Sequence, residues 1–388
     1  MILQPTKSFV TGATVSGKDF TGLVRGATIH ETVCKPYHTA TVTVLDNANM
    51  INRLGLVGGE PVSFTIGAGD GLERTFSGLL FSIKGQPAAY NMRSVSYEIT
   101  AITPEYFGDR ASTVQQAFRG VTGTGIISAI HSSYVGGSGI RVPLESAGLI
   151  GKDNSYVVKS SKPFKAINDV RKIMTFPGVS SSNLYYRDKD GAVIAPLEWM
   201  MNSMGSQATF VQRNVSGADW RNVFGAYDTI LSAAAVSRAS VRTLAAVGGL
   251  ERKVLDVLSS KRIFDVFGSG GKGHGGLHNY YLTDSTIVPK ESTRQTDRDR
   301  AYSASVEAGP QYLVTVPIQL GIGCTVGKGV TALLKSPSGD ATNIGADDEI
   351  ETGGGLMLAA DLSHECVLDE RGGGMTGKTH FRLVKGAI

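Results

Sequence analysis

A mainly β protein with an α+β insert, carrying an antiparallel β-barrel domain at each end of the chain, is the architecture this sequence predicts. Three observations carry it. Residues near both ends alternate apolar and polar with a period of two. Turn clusters rich in glycine, asparagine and aspartate separate those runs. The middle of the chain changes to apolar spacings of three and four residues, the signature of helices with one buried face.

Taken in chain order, Thr39–Leu45 is the first clear alternating run, closed by the turn cluster Asp46-Asn47-Ala48-Asn49. In Pro61–Gly67, Val62, Phe64 and Ile66 alternate with Ser63 and Thr65, which puts one apolar row on one face of a strand. Gly58-Gly59 precedes that run and Gly67-Ala68-Gly69-Asp70-Gly71 follows it. Thr75–Lys84 repeats the device, and in Asn91–Ile102 Val95, Tyr97 and Ile99 oppose Ser96, Glu98 and Thr100. Short strands joined by Gly-rich turns predict a barrel or sandwich.

Helices are expected next. Thr113–Arg119 and Gly125–Tyr134 read as helical, with Ile126, Ala129 and Ile130 on one stripe. Pro163 opens a further helix in which Phe164, Ile167, Val170 and Met174 recur at helical steps. Asn183–Leu197 reads as a hairpin, because Leu184-Tyr185-Tyr186 and Ala192-Val193-Ile194 flank the polar turn Asp188-Lys189-Asp190-Gly191. From Trp220 to Phe267 no single period holds, and Gly268–Gly276, six glycines in nine positions, is loop-like. Strand character returns in Tyr312–Leu320, Val330–Lys335, Gly355–Leu368 and Thr379–Val384. Leu356, Leu358, Ala360, Leu362, Cys366 and Leu368 share one parity, so Cys366 is expected inside as a small apolar residue. The expected division is a first barrel over 1–103, an α+β insert over 104–212, a connecting region over 213–310 that contributes to the second barrel, and that barrel over 311–388.

Composition narrows the function classes. At 388 residues the chain exceeds one ordinary core. Its 49 glycines are nearly double average usage of about 7%, yet 41% of residues are hydrophobic, which favours many tight turns over disorder. A net charge of +4 is too small to imply a nucleic-acid or membrane partner, since binding needs a local basic patch. Cys34, Cys324 and Cys366 are odd in number, widely separated and without CxxC spacing, so neither a disulfide framework nor a zinc knuckle is encoded. Met1–Gly12 has no long apolar core, and no apolar run reaches about eighteen residues, so neither a signal peptide nor a spanning helix is expected.

Each candidate for chemistry has a plainer explanation. Gly12-Ala13-Thr14-Val15-Ser16-Gly17-Lys18 has the spacing of a phosphate loop, but Asp19 stands where the magnesium-binding hydroxyl belongs and would repel phosphate. Gly268–Gly276 lacks a following helix start. Asp347, Asp348, Glu349 and Glu351 lack the alternating ladder of a calcium loop. His30, His38, His131, His274, His278, His364 and His380 are scattered, with no HExxH pair. In His364-Glu365-Cys366, strand alternation sends Glu365 away from its neighbours. Asp297 and Asp299 alternate with Arg294, Arg298 and Arg300 as a charged face, solvated or used in assembly. Glu98, Glu105, Asp109 and Glu145 are available carboxylates, but nothing marks a pair for hydrolysis. No catalytic, cofactor-binding or metal residue is therefore assigned, and no cofactor and no enzymatic activity are expected.

The strand-and-turn order also carries a resemblance. Leu45-Asp46-Asn47-Ala48-Asn49 through Gly58-Gly59-Glu60-Pro61-Val62, then Thr75–Leu80 and Ser96–Thr100, resembles the opening domain of baseplate hub proteins of contractile phage tails. Thr315-Val316-Pro317, Thr325–Val330, Gly353–Leu358 and Phe381-Arg382-Leu383 are similar to the hub's second tube-like domain. The resemblance covers roughly the first hundred residues and the last seventy-five.

The resemblance implies a structural virion protein with two tube-like barrels per chain. As a homotrimer it would present six quasi-equivalent barrels, adapt a sixfold tail tube to a threefold central spike, and let DNA pass as transient cargo during ejection. Implied partners are the spike protein and a tail tube or tube-initiator protein, with the tape measure protein and baseplate wedge beyond them. The implied location is the virion tail baseplate, assembled in the host cytoplasm, with no membrane anchor. Two alternatives stay open: a hub or spike component of a contractile injection or secretion system, and a tail-associated cell-wall hydrolase.

Overall fold

The computed structural model describes residues 8–212 with short interruptions at 48, 70, 89–90, 138, 145, 151–153, 178–182, 198 and 201–204, together with 229–231, 237–238, 311–333, 355–369 and 374–384. The segments 268–276, 294–300 and 347–351 lie outside the described residues. In chain order the strands are β1 Phe9–Val15, β2 Lys18–Asp19, β3 Val24–Thr32, β4 Thr39–Asp46, β5 Pro61–Gly67, β6 Glu73–Ala88, β7 Asn91–Ile102, β8 Val114–Phe118 and β9 Tyr156–Ser161. They continue as β10 Asn183–Asp188, β11 Gly191–Pro196, β12 Ser206–Gln212, β13 Thr229–Leu231, β14 Ser237–Arg238, β15 Gln311–Pro317, β16 Gly329–Leu333, β17 Gly355–Leu368 and β18 Met375–Val384. Among the described residues five α-helices interrupt them, α1 Met50–Arg53, α2 Pro104–Ala111, α3 Gly123–Ile130, α4 Pro163–Ile173 and α5 Ile318–Gly321, with a 3-10 turn at Thr21–Leu23 and a π-helical turn at His131–Val135 that continues α3.

The molecule is mainly β with an α+β insert, as its patterning predicts. No closed barrel forms among the described residues. Strands from both ends share one 14-stranded sheet, because β3 pairs with β4 on one side and with β17 on the other. In the amino-terminal part the ladder runs β3-β4-β7-β6-β5-β1. An isolated pairing of Ser8 with Met375 then brings the β1 end against β18. The alternation in β4 is strict, with Ala40, Val42 and Val44 buried, because its β-branched residues pack one pleated face inward.

Three hydrophobic clusters result. One fills the amino-terminal strands around Phe20, Phe64, Phe76 and Ile99, and takes Ile318, Ile322 and Cys366 from the carboxy-terminal segment. A second gathers Val314, Val330, Leu362 and Phe381 with Tyr186 and Val193. The third holds the insert, with Ile126, Ile130, Ile167 and Val170 beside Tyr185 and Ile194. Within the β10–β11 hairpin, consecutive side chains thus enter different clusters, the direct result of the two-residue strand period.

In the insert, Thr122 caps α3 by accepting from the Gly125 amide at 3.2 Å. Pro163 opens α4, where the Asp109 carboxylate accepts from the Phe164 amide at 2.7 Å. Ile167, Val170 and Met174 are fully buried, whereas Phe164 stays half-buried.

Three expectations are corrected. Thr113–Arg119 is not helical: Val114–Phe118 is β8, paired with β9, and the buried Val114 and Phe118 share one face because residues four apart have the same parity on a strand. Tyr312–Leu320 is not one strand, because β15 stops at Pro317, which has no amide hydrogen to donate, and α5 begins. Along β17 the single buried parity holds from Leu358 to Cys366, but Leu356 is exposed while Met357 and Ala359 are buried. The strand shifts register between Ala359 and Asp361, and above the shift it is covered on both faces.

Candidate functional site

Two constellations stand out: a buried polar junction between the clusters, and an exposed aromatic patch over the seam between the amino-terminal strands and the insert. The junction starts from Glu31, at the inward parity of Ala27 and Ile29 on β3, and Arg74, at the inward parity of Phe76 on β6. Glu31 is fully buried and pairs with the Arg74 guanidinium. The Thr325 hydroxyl donates to its other oxygen at 2.9 Å, and the Lys189 amide donates to Thr325 at 3.0 Å. Burial alone would raise the Glu31 carboxyl, but the Arg74 guanidinium and the Thr325 hydrogen bond help to hold it below the ordinary range.

Two histidines face this pair. His38 donates Nε2–H to the Arg187 carbonyl at 2.9 Å, and desolvation lowers its pKa. His364 is fully buried, bonds Thr379 through Nδ1 at 3.1 Å, and desolvation pushes its pKa down to about 4. Its Nε2 meets no hydrogen-bond partner among the described residues, although the Cys324 backbone lies close enough to favour its proton. Both rings are therefore neutral at pH 7.

A second, partly buried pair lies beyond, where Arg187 on β10 joins the buried Glu105 on α2. Beside it the Tyr185 hydroxyl and His131 Nδ1 are 2.6 Å apart. Desolvation raises Tyr185, so its hydroxyl keeps its proton. Glu31 and His364 are sealed from solvent, so no substrate can touch them in this conformation, and the junction joins elements of all three clusters.

The exposed patch is built from four elements. Phe81 is half exposed because β6 bulges between Leu80 and Ser82, and the extra residue turns outward. Its ring meets Tyr106 of α2 edge-on at 5.7 Å. Tyr106 meets Tyr37 of the β3–β4 turn at 5.2 Å, and Tyr37 stacks on Phe164 at 6.0 Å. Arg110 lies over Tyr106 at 5.1 Å and Lys35 over Tyr37 at 5.7 Å.

The other sequence candidates fall elsewhere. Gly12–Asp19 forms the β1–β2 hairpin, where Asp19 accepts from the Thr21 amide at 2.8 Å. Glu365 turns away from His364 and Cys366 and pairs with His380 at 3.1 Å. Glu98 is half exposed beside Lys84, Glu145 lies outside the described residues, and Asp109 is spent on its helix cap. Burial pushes the Cys324 thiol up to about 12 and Cys366 to about 11, while Cys34 is exposed. Among the described residues no group of three His, Cys, Asp or Glu side chains could hold a metal, and no helix is long and apolar enough to cross a membrane.

Sequence patterning missed Glu31, Arg74 and Thr325. A signal was present, since Glu31 and Arg74 each interrupt an inward apolar row; their partnership was not visible.

No family model matches the chain, and no curated protein matches it. Solved structures do resemble it. A tail protein from Neisseria meningitidis MC58 is similar at TM-score 0.52 and 10% identity, over 98% of this chain and 96% of that one. The 43 kDa tail protein of prophage MuSo2 from Shewanella oneidensis is similar at 0.51 and 10%, over 98% of each. An E. coli component of the type VI secretion system reaches 0.48, which lends no weight. At this identity the likeness is one of fold.

Proposed function

We propose that this chain is a non-enzymatic structural protein of a phage tail, and within the tail the baseplate hub. The observation that carries the reading is the fold shared, nearly end to end, with two tail proteins. The polar junction supports it, because its ionisable groups are sealed inside and tie separate clusters together rather than lining a cleft. In this reading three copies form a ring between the tail tube and the central spike, with DNA passing through during ejection. The division at 1–103, 104–212, 213–310 and 311–388 is part of the same proposal. So are the spike and tube partners and a place in the virion baseplate after cytoplasmic assembly.

Light scattering on the purified chain, with images of the same sample, tests the reading. The expected result is a ring of three times the 40.9 kDa chain mass. A stable compact monomer at high concentration would overturn it.

A further inference from the structure

We propose that the aromatic patch around Phe81 and Tyr106 receives the β5–β6 turn of a neighbouring copy, with Leu72 as the apolar anchor and Glu73 meeting Arg110. The inference rests on the ring-forming reading above and says where one copy grips the next.

The patch has the composition of an interface centre: tyrosine, phenylalanine and arginine, half exposed and packed edge to face. Its exposed charges, Lys35 and Arg110, are cationic, and the carboxylate nearest Tyr37, Asp109, is buried and holds the Phe164 amide. Among the described residues neither Lys35 nor Arg110 makes an ion pair, and the exposed Lys162 ammonium is bound to the Arg110 and Ser112 carbonyls at 2.8 and 3.1 Å. A partner must therefore bring an apolar side chain with a carboxylate beside it.

The β5–β6 turn offers that pairing. Leu72 is 45% exposed and the exposed Glu73 follows it. The turn is set by bonds from the Ala68 amide to the Leu72 carbonyl at 3.0 Å and from the Gly71 amide to the Ala68 carbonyl at 3.2 Å. It stands at one end of β6 and the Phe81 bulge lies nine residues on, about 30 Å away at strand rise. One copy cannot join its own turn to its own patch. The contact is head to tail between copies, the kind that closes into a ring when the rotation allows.

The test compares the full-length chain with Glu73→Arg, Arg110→Glu and the two together, by light scattering across concentration. Each single change is expected to raise the concentration for half-assembly about tenfold, and the combination to restore it to within about threefold of wild type. Phe81→Ala, at an exposed position, is expected to weaken assembly in the same way should Arg110→Glu fail to fold. Leu72→Cys with Tyr106→Cys, in a Cys34→Ser background, should cross-link under oxidation into a ladder ending at three chains. A wild-type trimer whose mass no variant changes and which yields no cross-link would overturn this contact and leave the ring reading standing. So would loss of another tail protein's binding with the trimer intact, or a ladder running past three. A wild-type monomer at every concentration would sink the ring reading and this inference together.

Discussion

Arg74 and Glu31 form a buried ion pair although three ladder steps, β3 to β4 to β7 to β6, separate their strands. At about 4.8 Å per step a flat sheet would hold them some 14 Å apart, so the sheet curls until its inner faces meet. Removing one partner strands the other charge inside. Arg74→Met and Glu31→Gln should each cost about 3–5 kcal/mol in urea unfolding. Arg74→Met with Glu31→Leu should recover much of that loss, because an apolar pair leaves no uncompensated charge.

Acid should begin to weaken the fold before its surface carboxylates titrate. His364 is held neutral by burial, with a folded pKa of about 4 against an ordinary 6.5. Below pH 6.5 the unfolded chain takes up a proton that the folded chain refuses. Stability from this group is complete above pH 6.5 and is lost as pH falls to about 4, a change of about 3 kcal/mol. His38 shifts in the same direction and adds to the slope. Denaturation midpoints measured between pH 4 and 7 should show this slope, and His364→Asn should flatten it.

The thiols should separate cleanly. Cys34 is exposed, whereas Cys324 and Cys366 are buried with raised pKa values, and only the thiolate reacts. A thiol reagent at pH 8 should label one cysteine per chain quickly in the native protein and three in denaturant. Fast labelling of all three in the native state would contradict the burial of Cys324 and Cys366.

Two glycines with nearly the same backbone angle should respond differently to alanine. Gly17 has φ +76° with nothing within 4 Å of the position a methyl would take, and Gly17→Ala should cost about 1 kcal/mol. Gly327 has φ +77° and the Tyr186 ring occupies the space a methyl would need. Gly327→Ala should cost about 2–4 kcal/mol, read from the same unfolding curves.

Much of the fold was legible because strand alternation is a local signal. The limits Asn91–Ile102 and Gly355–Leu368, expected from period alone, coincide with β7 and β17. Val114–Phe118 misled because a spacing of four puts two residues on one face of a strand as readily as on one stripe of a helix. The polar junction was illegible for another reason: Glu31 and Thr325 stand 294 positions apart, and nothing near either residue announces the other. The aromatic patch likewise draws on a turn, a bulge and two helices that come together only in the folded chain.

The pairing of β3 with β17, which sets Ala27 opposite Cys366, also dictates timing. At ribosomal rates of about 5–20 residues per second, tens of seconds separate the emergence of these two strands. Throughout that interval one side of β3 offers bare amides and carbonyls to any other nascent chain. Strand β17 thus seals the first sheet long after β3 has been made, so a message truncated before codon 355 would yield a product with that flank still open and prone to aggregate.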